Sequence, residues 1–279
     1  MIFEISLLAV LSFLLLRWGR RKGFFHWEKP IGWNPSIRLW HVAGSFLVYF
    51  GVSFLMPVLY IPLLRSLGFM NSPVGFSAWL IFLLSSTVFV ALAIYTCLIS
   101  PATRRALWRQ SGTHAFQNDV KAGLLAFLIA TPLVLALGQL LELLTVAIFH
   151  LTEMPDQTAV RFVKMTLEHP PYFLLAALSV SVLAPLIEET LFRGFLQSFI
   201  RKHLGSTQAI WITATCFSLF HFSLDQGVGN IPIIGSLFCL ALFLGFLYEK
   251  QRSLLASITL HATFNTFSIL NLYFLGDVL

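Results

Sequence analysis

Charge is scarce in this sequence. Only 11% of its 279 residues are Asp, Glu, Lys or Arg, against about 25% in soluble domains. So few charges cannot cover a water-facing surface. With 57% hydrophobic residues and a mean hydropathy of +0.83, the chain belongs in a bilayer. Cysteine is also rare. Cys97, Cys216 and Cys239 lie in apolar runs without CxxC spacing, which argues against a disulfide frame or a cysteine metal site and leaves bland thiols. There is no internal repeat and no low-complexity tail. No nucleic-acid motif accompanies the net charge of +6. The basic residues fall in short loops between apolar runs, where they set membrane orientation. At the N-terminus the positive charges follow the apolar run instead of preceding it, without a small-residue cleavage site. This reads as a retained span, not a signal peptide.

What is present is a series of apolar stretches. A span needs roughly 20 mainly apolar residues, and eight stretches qualify as candidates: about 2–18, 40–62, 78–100, 122–150, 171–199, 208–223, 231–248 and 254–275. The expected fold class is all-α, a polytopic transmembrane helix bundle of about eight spans. Basic residues concentrate in the first, third, fifth and seventh loops: Arg20, Arg21, Lys22, Lys29 and Arg38; Arg104, Arg105 and Arg109; Arg201 and Lys202; Lys250 and Arg252. The second loop has only Arg65, the fourth balances Arg161 and Lys164 against Glu153, Asp156 and Glu168, and the sixth has Asp225 alone. By the positive-inside rule the odd loops are cytoplasmic and both termini face outward. The third loop, PATRRALWRQSGTHAFQND, reads either as a short interfacial helix carrying Arg104, Arg105, Arg109, Trp108 and Phe116 or as an ordinary polar loop.

Three charges break the fifth span, in PLIEETLFRGF (185–195). An ionised side chain at mid-bilayer costs about 2.5–3.5 kcal/mol even on the mild insertion scale, so such residues face protein or water and need partners. Pro185 should kink the helix or free a carbonyl one turn back. Glu189 and Arg193, four apart, share a face and can pair. Glu188 is turned about 100° away and is left to point elsewhere, as a poised general base would. A structural salt bridge would give the same pattern. Two further clusters shift the balance: Phe217 and His221 in FSLFH, and His261 and Asn265 in HATFN, each pair four apart. The least costly arrangement brings them together in one polar cavity. Gln139 and Glu142 are weaker candidates for it. His150, His169 and His203, near span ends, read as surface residues. Asp225 and Asn230 bound a glycine-containing turn, SLDQGVGN.

EETLFR, FSLFH and HATFN, in that order on late spans, resemble the three motifs of the CPBP family: CAAX prenyl proteases of the Rce1 type and bacteriocin-processing (Abi) enzymes. That family's pattern is EExxxR, FxxxH and Hxxx(N/D). Glu188, Glu189 and Arg193 match the first, Phe217 and His221 the second, and His261 and Asn265 the third. The resemblance spans about 171–275. It divides the chain into residues 1–120, spans and loops without a motif, and residues 121–279, a CPBP-like protease core with its motifs within 185–265. It implies an intramembrane endopeptidase in which Glu188 and His221 activate water, His261 and Asn265 stabilise the oxyanion, and Glu189, Arg193 and Phe217 support the site.

A zinc version would use Glu188, His221 and His261 as ligands, with Glu189 as base and Asn265 behind them. The sequence has no HExxH motif, and Asn265 suits an oxyanion better than a metal. A cofactor-free site is therefore favoured, with zinc the alternative. Expected partners are the lipid bilayer and a protein or peptide substrate, lipidated or not; no nucleic acid is expected. The expected location is a bacterial cytoplasmic membrane. A proton-coupled transporter and a catalytically silent scaffold or immunity protein are the competing readings.

Overall fold

The computed structural model describes residues 2–26, 36–108, 116–152, 154 and 156–276. Among them the chain is helical, without a β-strand. Eleven helices are distinguished here. The first seven are α1 (Ile2–Arg21), α2 (Leu39–Leu55), α3 (Pro57–Ser66), α4 (Pro73–Leu98), α5 (Pro101–Trp108), α6 (Phe116–Phe149) and α7 (Thr158–Thr166). The long, interrupted α8 (Pro170–Leu204) follows, then α9 (Ser206–Phe220), α10 (Asn230–Gln251) and α11 (Leu254–Leu275). Proline recurs at helix starts, where a missing N–H is harmless: Pro57, Pro73 and Pro170 each open a helix. The Ser72 hydroxyl accepts from Gly75 N at 3.1 Å to cap α4.

Among the described residues six helices are long and apolar enough to cross a membrane: Ile2–Arg21, Leu39–Ser66, Pro73–Leu98, Phe116–Phe149, Pro170–Leu204 and Leu224–Gln251. Their outer faces carry fully displayed apolar residues such as Phe3, Leu47, Phe54 and Leu98, a surface that water does not tolerate. The chain is an integral, multi-pass membrane protein. The expected count of about eight is not met by the same measure. The other two expected spans exist as helices, α9 and α11. At 15 residues, α9 reaches about 22 Å, short of a hydrocarbon core of about 30 Å. The 22 residues of α11 include His261, Asn265 and Asn271, which lower its hydropathy.

α6 runs through the bundle against α1, α10 and α11, while α2 and α4 pack on α8. Lipid tails are as apolar as leucine, so close packing of small residues holds such helices together. Gly123 on α6 is one such point: a Cβ there would lie 2.6 Å from Thr259 Cβ and 2.7 Å from the Ala256 carbonyl oxygen of α11. A cluster of Val88, Leu92, Ile187, Leu191, Phe192, Ala214, Phe217 and Ala241 joins α4, α8, α9 and α10 beneath the charged residues. The third loop does contain a helix, α5. It docks into protein through Leu107, whose side chain is buried against the chain at Gly194. Lys29, Arg109 and Glu153 of the loop-charge pattern lie outside the described residues.

Candidate active site

α8 departs from α-helical winding in two segments. Ser179–Leu183 and Thr190–Gln197 are π-helical, with the α-helical segment Ala184–Glu189 between them. Pro185 supplies no N–H, so the ladder must shift around it. The first residue of each π turn carries a hydroxyl that bonds back four residues: Ser179 Oγ to Leu175 O at 2.7 Å, and Thr190 Oγ1 to Leu186 O at 2.7 Å. These hydroxyls serve carbonyls that the widened turns displace. The kink expected at Pro185 is therefore a pair of π turns flanking the two glutamates.

Glu189 and Arg193 form the expected pair. Arg193 Nη1 donates to Glu189 Oε1 at 2.8 Å, and both side chains are 0% exposed. Arg193 Nη2 also donates to the Ala241 carbonyl at 3.2 Å, and its Cζ lies 4.5 Å from the centre of the Phe217 ring. His261 Nδ1 bonds the same Glu189 Oε1 at 2.9 Å. An ionised carboxylate only accepts, so this nitrogen carries the proton and Nε2 is the free atom.

His221 sits where α9 ends. Its own N–H turns to Ser218 O at 3.2 Å, so the helix no longer occupies the Phe217 carbonyl. That oxygen accepts from His221 Nδ1 at 2.9 Å, again leaving Nε2 free. Both free nitrogens face Glu188: His221 Nε2 and His261 Nε2 each lie 3.8 Å from Glu188 Oε2. Glu188 Oε2 is buried and has no hydrogen-bond partner among the described residues. The site opens on the His221 side, whose side chain is 29% exposed against 16% for Glu188 and 5% for His261.

Asn265 is placed one turn beyond His261, and its Nδ2 donates to Val180 O at 2.9 Å. One of its two amide N–H groups thus holds the first π turn. After His221 the chain folds into a tight loop. Asn230 ties it with three bonds: Oδ1 accepts from Ser223 N at 3.0 Å, and Nδ2 donates to Ser223 O at 2.7 Å and to Gly227 O at 2.9 Å. Gly227, at φ 51 and ψ −126, uses backbone space that a side chain forbids. Gln226 fastens the loop to the Asp156 carbonyl at 3.1 Å. Neither Gln139 nor Glu142 shares a hydrogen bond or ion pair with this cluster.

A polar ladder continues from the site along α8. Gln197 Nε2 donates to Gly245 O at 3.0 Å and Glu249 Oε1 at 2.9 Å, and Arg201 Nη1 lies 3.7 Å from Glu249 Oε2. Ser198 and Tyr248 share a bond of 2.9 Å beside it. No motif marks this network, and its one signal in the sequence is that Glu189, Arg193, Gln197 and Arg201 recur every four residues. In an α-helix such a row drifts about 40° per step. The wider π turn counters the drift and keeps the row facing Ala241, Gly245 and Glu249 on α10.

Fold and site together define a membrane protein with a glutamate and two histidines converging within its bundle. Residues 170–267 match the family described as type II CAAX prenyl endopeptidase, Rce1-like, the family whose motifs the sequence resembles. An Escherichia coli protein described as an uncharacterized 24.3 kDa protein is 30% identical over 100 residues, 36% of this chain. The match covers 45% of that relative, so the chain spans less than half of its length. No solved structure matches.

Proposed function

We propose that this protein is an intramembrane endopeptidase in which Glu188, with His221, activates a water molecule against a peptide carbonyl. One observation carries the reading: Glu188 Oε2, buried and unbonded, faces two free imidazole nitrogens at 3.8 Å each. That spacing is too long for a hydrogen bond, while two bonds of about 2.8 Å meeting near a right angle span it. A water so held is oriented by His221 and gives its proton to Glu188 as its oxygen attacks the carbonyl carbon. The tetrahedral intermediate then expels the amine, breaking the C–N bond, and the proton passes from Glu188 to the leaving nitrogen. Glu189 and Arg193 fix the ring of His261 and the charge balance around Glu188. Asn265 retains one amide N–H for the oxyanion.

A resident zinc on Glu188, His221 and His261 fits less well. Zinc bonds of about 2.0–2.1 Å at a tetrahedral angle bring ligand atoms to roughly 3.3 Å, closer than the 3.8 Å here. Among the described residues no group of three or more His, Cys, Asp or Glu side chains has metal-holding spacing. The substrate class that suits the site is a membrane-associated or lipidated protein or peptide. It would enter from the cytoplasm or the inner leaflet of a bacterial cytoplasmic membrane, with both termini of the protein outward.

The test is cleavage by the full chain in liposomes, using prenylated and unprenylated peptide libraries. Wild type should cleave, Glu188→Ala should not, and activity should survive stringent chelation. Chelator loss restored by zinc would replace water activation by Glu188 with metal catalysis. Ion flux without cleavage would favour a transporter, and neither activity would favour a silent scaffold.

A further inference from the structure

The motif residues of the site lie on α8, on α9 and its C-terminal cap, and on α11. Its supply of free donors is thin. The Nδ1 protons of both histidines are taken, Arg193 gives Nη1 to Glu189 and Nη2 to Ala241 while its unpartnered Nε is enclosed in a side chain that is 0% exposed, and Asn265 has one amide N–H engaged by Val180. A peptide oxyanion needs donors aimed at the place where charge develops, and outside the wholly buried Arg193 the site residues offer one spare amide N–H, that of Asn265.

A further hydroxyl stands at the open side, on α2. The ring of Tyr49 lies 5.4 Å from that of Phe220, the residue before His221, and the Phe220 ring is 6.1 Å from the His221 imidazole. Tyr49 packs on the cluster containing Ile187, Phe192 and Phe217, and Ile187 is the chain neighbour of Glu188. Its phenol is within electrostatic reach of the Glu188 carboxylate. It is also unpaired: no described residue bonds the Tyr49 hydroxyl, whereas Tyr95 donates to the Trp40 and His41 carbonyls and Tyr248 bonds Ser198 and Leu107. A half-buried phenol normally finds a partner. This one has no partner among the described residues.

We propose that Tyr49 is a catalytic residue that donates its phenol proton in a hydrogen bond to the scissile carbonyl oxygen as that oxygen becomes an oxyanion. The substrate peptide then lies between α2 and the His221 end of α9, with Glu188 and its water on one side of the carbonyl carbon and Tyr49 at its oxygen. The phenol keeps its proton throughout. The negative charge formed as water adds is held by this bond and by the free Asn265 N–H, and is released when the C–N bond breaks. The inference rests on the peptidase reading above and extends it to a motif-free N-terminal helix.

The experiment is Tyr49→Phe in the full chain in liposomes, beside wild type, Glu188→Ala and the remote control Tyr95→Phe. Removing a hydroxyl that bonds no protein group leaves thermal unfolding unchanged. The expected result is a kcat lower by roughly 100-fold, with KM altered little and Tyr95→Phe fully active. Unchanged kcat in Tyr49→Phe, with Glu188→Ala dead, overturns the Tyr49 role and leaves the peptidase reading standing. A fall in kcat that tracks a fall in thermal midpoint also overturns it, by showing a structural role. A wild type that cleaves nothing overturns both.

Discussion

Asn265 on α11 donates its side-chain amide to the carbonyl of Val180, at 2.9 Å, inside the π turn that precedes Pro185. The residue to which the resemblance gives an oxyanion role is a strut in this structure. It ties α11 to the segment of α8 that sets the direction of Glu188.

Asn265→Ala should therefore do two things at once. Leaving the Val180 carbonyl unpaired costs about 1–3 kcal/mol, seen as a lower thermal midpoint in detergent. kcat should fall as well, by roughly 100-fold or more. A variant with normal stability and normal turnover would show that neither role is real.

The adjacent glutamates should behave oppositely. Glu189→Gln leaves the wholly buried Arg193 cation without its counter-charge, and breaking such a pair costs about 3–5 kcal/mol. Glu188→Gln disturbs no hydrogen bond of Oε2, so stability should hold while cleavage disappears. Unfolding curves of the two variants side by side decide this. Equal destabilisation would contradict the division between frame and base.

Asn230→Ala removes all three bonds that close the loop behind His221. The imidazole then loses its fixed position although it is untouched chemically. Misplacement by about 1 Å can cost 100-fold in rate, so kcat should drop roughly 10–100-fold while KM moves much less. Full turnover in this variant would mean that the Phe217 carbonyl alone holds His221.

Gly123→Ala tests the seam between α6 and α11. The added methyl meets the Ala256 backbone carbonyl at 2.7 Å, which cannot swing aside as a side-chain end would. Overpacking of this kind costs about 1–3 kcal/mol. His261 follows Ala256 on the same helix, so activity should fall together with the thermal midpoint. A fully stable, active Gly123→Ala protein would place the helices farther apart than described here.

Whatever depends on angle about one helix axis is legible in residue spacing. Apolar run length marked the spans, and the spacing of four predicted the Glu189–Arg193 pair and turned Glu188 away from it. It also put Phe217 with His221, though the link there is to a carbonyl that only the end of α9 sets free. Pro185 announced a disturbance, but not that it would take the form of two π turns. The count of about eight spans is not confirmed at α9 and α11, because helices that carry site residues pack on protein and can be short or polar. Helix packing alone sets Glu188 Oε2 between two imidazoles, braces Val180 with Asn265, brings Gln197 and Arg201 to Glu249, and stacks Tyr49 of the motif-free α2 against Phe220. Those relations depend on where helix axes cross and how closely Gly123, Ala241 and Gly245 let them approach. Spacing along a single helix carries no record of that distance.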